Sequence, residues 1–102
     1  MSRARRKDAN HNEIAAAFES CGFSVHDTSA LGGGFPDMVV WRQRNGYVLV
    51  EVKDGKKPPS GRVLTKREQS FAQKFPVVVV YRVSDVVELA TGSAFDVPRF
   101  DI

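Results

Sequence analysis

Two apolar runs, Asp37-Met-Val-Val-Trp41 and Tyr47-Val-Leu-Val-Glu-Val-Lys53, stand on either side of Asn45-Gly46. Strand-forming residues around an Asn-Gly pair are a strong short-range signal for a β-hairpin. The second run is unusual in its ending. Burying an unpaired charge costs several kcal/mol or more, or shifts the group's pKa. Glu51 and Lys53 at the end of such a run therefore need either solvent or a charged partner.

Side chains along a strand alternate faces, so Tyr47, Leu49, Glu51 and Lys53 share one face and Val48, Val50 and Val52 the other. On the preceding strand Asp37, Val39 and Trp41 share a face. Two turns are open to the chain. A two-residue Asn45-Gly46 turn pairs Arg44 with Tyr47 and turns Asp37 away from Glu51. A three-residue Arg44-Asn45-Gly46 loop, with Gly46 left-handed in a bulge, pairs Gln43 with Tyr47. It sets Val39 opposite Glu51 and Asp37 opposite Lys53. Only the second, or a bulge elsewhere, gathers Asp37, Glu51 and Lys53, and it is the expectation adopted here.

Two carboxylates and an ammonium at one point are suited to phosphodiester hydrolysis. Carboxylate oxygens suit Mg²⁺ or Mn²⁺, and the backbone carbonyl of Val52, between the two charged side chains, is a candidate further ligand. A bound ion lowers the pKa of water and steadies negative charge on phosphate. Lys53 would orient the water or hold transition-state charge. The competing reading is a salt bridge at a strand end that reaches solvent.

The rest of the chain reads as helix, three strands, helix, strand, helix. Ile14, Ala17, Phe18 and Cys21 form one apolar stripe, predicting a helix over Ala9–Cys21 with Asp8 as its cap and Gly22 as its stop. Phe23–Ser29 reads as a strand and 30–36 as a glycine-rich loop, whose glycines would let DNA or a partner backbone approach Asp37. Residues 54–64 read as a flexible basic loop. Thr65-Lys66-Arg67-Glu68 is a capping box opening a second helix, with Phe71, Ala72 and Phe75 as its buried face. Val77–Val83 reads as a strand covered on both faces. Ser84 is expected to cap a helix over Asp85–Thr91 that Gly92 closes. The fold class is α/β, a small mixed sheet with both faces covered, with Trp41 and Tyr47 packed beneath a helix. His11 and His26 read as surface or boundary residues and Cys21 as core.

The 102 residues amount to one domain. Residues 1–7 would be a basic arm. No apolar run reaches the roughly 20 residues of a membrane helix. The basic start has no apolar segment behind it, so no secretory signal is read. A single cysteine excludes an internal disulfide, and a cytoplasmic location is expected. Residues 1–82 hold 14 Lys/Arg against 8 Asp/Glu. Arg3, Arg5, Arg6 and Lys7 form one basic cluster; Lys56, Lys57, Arg62 and Lys66 fall in another, running from Arg42 to Arg67. Both would suit the backbone of a nucleic acid, although a solvated surface has the same composition.

The segments Gly32–Trp41 and Tyr47–Phe71 resemble the PD-(D/E)XK nuclease superfamily, and more narrowly its small stand-alone VRR-NUC (virus-type replication-repair nuclease) proteins. The resemblance runs from Lys7 to the last helix and rests on a Glu on the first helix, Pro-Asp, Glu-x-Lys, then Gln on the next helix. It implies a restriction-endonuclease-like αβββαβ core with a short C-terminal helix. It also implies metal ligands at Asp37 and Glu51, a catalytic Lys53, an assisting metal-site acid at Glu13 and a site glutamine at Gln69. The implied activity is that of a Mg²⁺- or Mn²⁺-dependent DNA endonuclease. Such proteins often act as homodimers on branched DNA such as Holliday junctions, in a bacterial or virus-infected host cell. The alternative is a non-catalytic nucleic-acid-binding module on the same fold.

Overall fold

The computed structural model describes residues 7–92. Arg3, Arg5 and Arg6 of the expected basic arm lie outside them. The elements are α1 (His11–Ser20), β1 (Ser24–Asp27), β2 (Met38–Arg42), β3 (Gly46–Val52), a 3₁₀ turn (Pro59–Gly61), α2 (Lys66–Lys74), β4 (Val77–Val80) and α3 (Val83–Thr91). This is the αβββαβ order with a short last helix. Strands pair β1-β2-β3-β4, antiparallel until β4 joins β3 in parallel. The arrangement is compatible with a restriction-endonuclease-like core. The 3₁₀ turn punctuates a stretch expected to be irregular throughout.

One face of the sheet builds the core. Met38, Val40, Val48, Val50, Val52, Val78 and Val80 meet Ile14 and Phe18 of α1 and Val86 and Leu89 of α3. The stripe on α1 is buried as its spacing required, and Phe18 meets Phe23 edge-on at 5.2 Å. Gly22 ends α1 at φ +91°, a conformation that costs a glycine little.

Among the described residues little covers the other face, contrary to the expectation that both would be covered. Tyr47 is 78% exposed and Trp41 41%, so neither packs beneath a helix. β4 is an edge strand with Val77 and Val79 only half-buried. The side of α2 expected to be buried is also part-wet: Phe71 and Ala72 are half-buried and Phe75 is exposed, stacked along Phe71. The one buried residue of α2 is Glu68. An apolar run can fill a parallel edge strand as well as a central one, and periodicity does not tell them apart.

Local caps differ in detail. Asp8 does not cap α1 through its side chain. Asn10 holds the N-cap position, and its amide donates instead to the carbonyls of Lys53 (3.2 Å) and Tyr81 (3.0 Å). That ties the start of α1 to the end of β3. Ser84 lies inside α3, and the Asp85 carboxylate accepts the N–H groups of Tyr81 and Arg82. His11 is buried rather than superficial, with Nε2 3.4 Å from Asp27. Arg42, counted above with the basic cluster, is committed to the fold. Its guanidinium donates to Asn45 Oδ1, Cys21 O and Ala90 O, binding the hairpin turn to the C-terminal ends of α1 and α3. A cation there also complements both helix dipoles.

Candidate active site

The hairpin decides where the carboxylates meet. Arg42 pairs with Gly46 and Trp41 with Tyr47, so the turn is Gln43-Arg44-Asn45, followed by Gly46 at φ +70°. Gly46 is left-handed as expected, but the register is displaced by two residues. The ladder runs to Met38↔Val50, and one step further sets Asp37 opposite Glu51 rather than Lys53. A displacement of two preserves the face, so the three charged side chains still converge. The two-residue turn would have separated them.

Asp37 is 4% exposed and Glu51 2%. Asp37 Oδ2 accepts the Val52 N–H at 2.7 Å. The backbone before it is pinned from the side of β1. Thr28 N–H donates to Asp37 O, and the Thr28 hydroxyl to Pro36 O at 2.7 Å. Val52 thus lies beside both acids through its backbone while its side chain fills the core. Lys53 places Nζ 3.8 Å from Glu51 Oε2 and 2.9 Å from Glu68 Oε1.

Glu68 is the site residue that the sequence reading missed. Its place in the sequence marks it as the acidic half of a capping box, and it is that. The Thr65 hydroxyl accepts the Glu68 N–H at 3.2 Å, and Glu68 Oε1 accepts the Thr65 N–H at 2.9 Å. The same oxygen takes the Lys53 ammonium. The available signal was the capping box itself, which fixes the third residue of the helix with its carboxylate turned back toward the chain.

Burial pushes Glu51 up to about 9, helped by the neighbouring Asp37 and Glu68 carboxyls, both within hydrogen-bonding reach. Glu51 therefore holds a proton at neutral pH. Burial alone would raise Glu68, but the hydrogen bonds from Lys53 and the Thr65 amide outweigh it and hold Glu68 below the usual range. Burial alone would lower Lys53, yet the same Glu68 contact, with Glu51 and Asp8, holds its pKa above normal. The Lys53–Glu68 pair is thus charged, while Glu51 beside it is protonated.

Neither Glu13 nor Gln69 joins this cluster. Glu13 is exposed on α1, which packs against the opposite face of the sheet. Gln69 is exposed, and its amide donates to Leu64 O. It lines a cavity of about 560 Å³ with Arg62, Leu64, Val79 and Tyr81. Val79 is the register partner of Glu51, so this cavity borders the acids. Arg62 lies over the Tyr81 ring at 5.9 Å, and its Nε is buried with no hydrogen-bond partner among the described residues. Of the other expected DNA contacts, Lys7 is paired with Asp27 at 2.7 Å and Lys57 lies 3.7 Å from Asp8. Lys56 and Lys66 are exposed. At the glycine loop the chain's own backbone comes close at Gly34, where a Cβ would stand 2.5 Å from Arg67 O of α2, while Gly32 and Gly33 have nothing within 4 Å of such a Cβ.

The donor chemistry fits a divalent ion. Glu51, buried beside Asp37, keeps its proton without a cation, and a hard cation between the two carboxyls would replace that proton. Among the described residues no set of three His, Cys, Asp or Glu side chains forms a complete metal cage. Mg²⁺ does not need one, since it commonly takes one or two carboxylates and completes its shell with water and substrate phosphate.

A mixed sheet carrying acid, acid and lysine at one end of an open face describes a nuclease core. A family model described as the VRR-NUC domain matches residues 2–78. The chain belongs to that nuclease family. Comparison with curated proteins and with solved structures found no match.

Proposed function

We propose that this protein is a Mg²⁺- or Mn²⁺-dependent endodeoxyribonuclease, with Asp37 and Glu51 holding the ion through their carboxylates and the Val52 carbonyl beside them. The observation that carries this reading is the buried Asp37–Glu51 carboxyl pair next to Lys53. When bound, the ion supplies Lewis acidity, activating water and offsetting charge on the phosphate. The chain's own residues do the rest. Glu68 fixes the direction of the Lys53 ammonium, which faces the acids and meets the negative charge that develops on the phosphate. Arg62, which lines the adjoining cavity, is suited to a phosphate oxygen, and Gln69 to the neighbouring backbone. Lys56, Lys57 and Lys66 attract the strand electrostatically, so binding weakens as salt rises. The preference for branched DNA and a homodimer with two sites rests on the resemblance. Glu13 enters the reading only if binding of ion or DNA draws α1 nearer the acids.

The experiment is cleavage of a labelled four-way junction with Mg²⁺ or Mn²⁺. Wild type is expected to cut, EDTA to abolish cutting, and Asp37→Ala and Lys53→Ala to bind without cutting. A wild type that binds the junction yet leaves it intact with either metal would establish the non-catalytic module instead.

A further inference from the structure

The glycine loop and α2 enclose a second groove, of about 430 Å³, that the acid cluster does not use. That is within the range of small-ligand sites. Its walls are Gly33 of the loop and a face of α2 carrying Lys66, Arg67, Phe71, Lys74 and Phe75. Arg67, Ser70, Phe71 and Lys74 are spaced i, i+3, i+4, i+7, so they lie along one side of the helix. Phe71 and Phe75 stand three and seven residues after Glu68, so the aromatic edge of the groove adjoins the side of the helix that sends Glu68 into the acids. Three cations line the groove and no carboxylate does. Beside the cations the rings of Phe71 and Phe75 lie 4.7 Å apart, tilted by 32°, with Phe75 48% exposed.

We propose that this groove seats unpaired nucleotides of the DNA strand next to the phosphate that is cut. The proposal rests on the nuclease reading and names the form of its substrate. Arg67 and Lys74, a helix turn or two apart, match a run of phosphates, and the exposed ring of Phe75 beside Lys74 offers a surface for a base. Stacking on an aromatic ring accepts any base but requires that it be free of its own duplex stack. The groove is also anchored to the acids. Gly34 is three residues before Asp37, a reach of at most about 11 Å, and α2 delivers both the groove and Glu68. Gly34 at φ +89° lets the loop press against Arg67, so the walls are held in place by backbone contact.

The test is DNA binding in EDTA, read by fluorescence anisotropy with a short oligothymidine and with a blunt duplex. Phe75→Ala is expected to weaken oligothymidine binding about tenfold, with duplex binding and the salt dependence unchanged. Lys74→Ala is expected to weaken it too and to flatten the slope of log K against log salt by roughly 0.7. Both positions are exposed, and circular dichroism checks the fold. The proposal is overturned if Phe75→Ala leaves oligothymidine affinity unchanged, or weakens single strand and duplex equally. It is likewise overturned if Phe75→Ala changes the oligomeric state in sedimentation velocity, which would assign the face to a second copy of the chain. Junction cleavage with Mg²⁺ is scored separately. A wild type that binds oligothymidine as expected but never cuts sinks the nuclease reading and leaves the groove standing.

Discussion

The two faces of β3 are made from alternate residues of one seven-residue strand, and they do opposite work. Val48, Val50 and Val52 vanish into a core closed by α1 and α3. Tyr47, Leu49 and Glu51 look toward a face that α2 partly shields, and along it exposure falls from 78% at Tyr47 to 2% at Glu51. The covered face is held by apolar burial, which tolerates no charge. The open face gathers charge at its shielded end, where a polar network of backbone amides and opposite charges surrounds each carboxylate. A small domain thus keeps its stability and its chemistry on opposite sides of one sheet, with the backbone between them as the shared frame.

Substitutions on each face test that division, and the largest effect should come from the acids. Asp37→Ala is expected to reduce junction cleavage about a thousandfold or more, the scale on which a metal's contribution of several kcal/mol is lost. Its fold, by circular dichroism, should survive. On the covered face Phe18→Ala should cost about 3–5 kcal/mol in denaturant unfolding, and any loss of cutting should follow the unfolded fraction. A Phe18→Ala protein that stays folded but inactive would break the separation.

The next contrast lies on α2, between neighbours. Glu68→Gln removes the charge that steers Lys53 and should lower turnover about 10- to 100-fold. Gln69→Ala should instead raise KM with turnover little changed, because Gln69 faces the adjoining cavity and not the acids. Equal losses of turnover from both would place the glutamine in the cluster after all.

The acid pair should also be visible in stability without metal. The folded protein keeps the Glu51 proton up to about pH 9, while the unfolded chain releases it near 4.5. The folded state binds more protons in that window, so stability falls as pH rises through it. Thermal unfolding in EDTA should show this fall, and Glu51→Gln should flatten it. The smallest effect is expected at the other end of the open face. Tyr47→Ser should change stability by no more than about 0.5 kcal/mol, and a larger loss would mean that this end is covered in solution.

Much of this was legible from the chain alone. The hairpin, the stripe on α1, the capping box at Thr65 and the stop at Gly22 follow from local rules, because each is set by residues within a turn or two of one another. The site was legible in part. Asp37, Glu51 and Lys53 stand out because charge closes an apolar strand. Glu68 hid behind its own capping role, and Glu13 came from a motif order that says nothing of which way a side chain points. Arg42 looked like a free cation because the carbonyls it binds at Cys21 and Ala90 are far from it in sequence.

The order of elements and the alternation of faces along each strand were determined by the sequence, through periodicities of two and 3.6. The register that sets Asp37 against Glu51, the edge position of β4, the bare face around Trp41 and the double duty of Glu68 were decided only in three dimensions. Each of these depends on contacts between segments distant along the chain, and local propensity carries no term for such contacts.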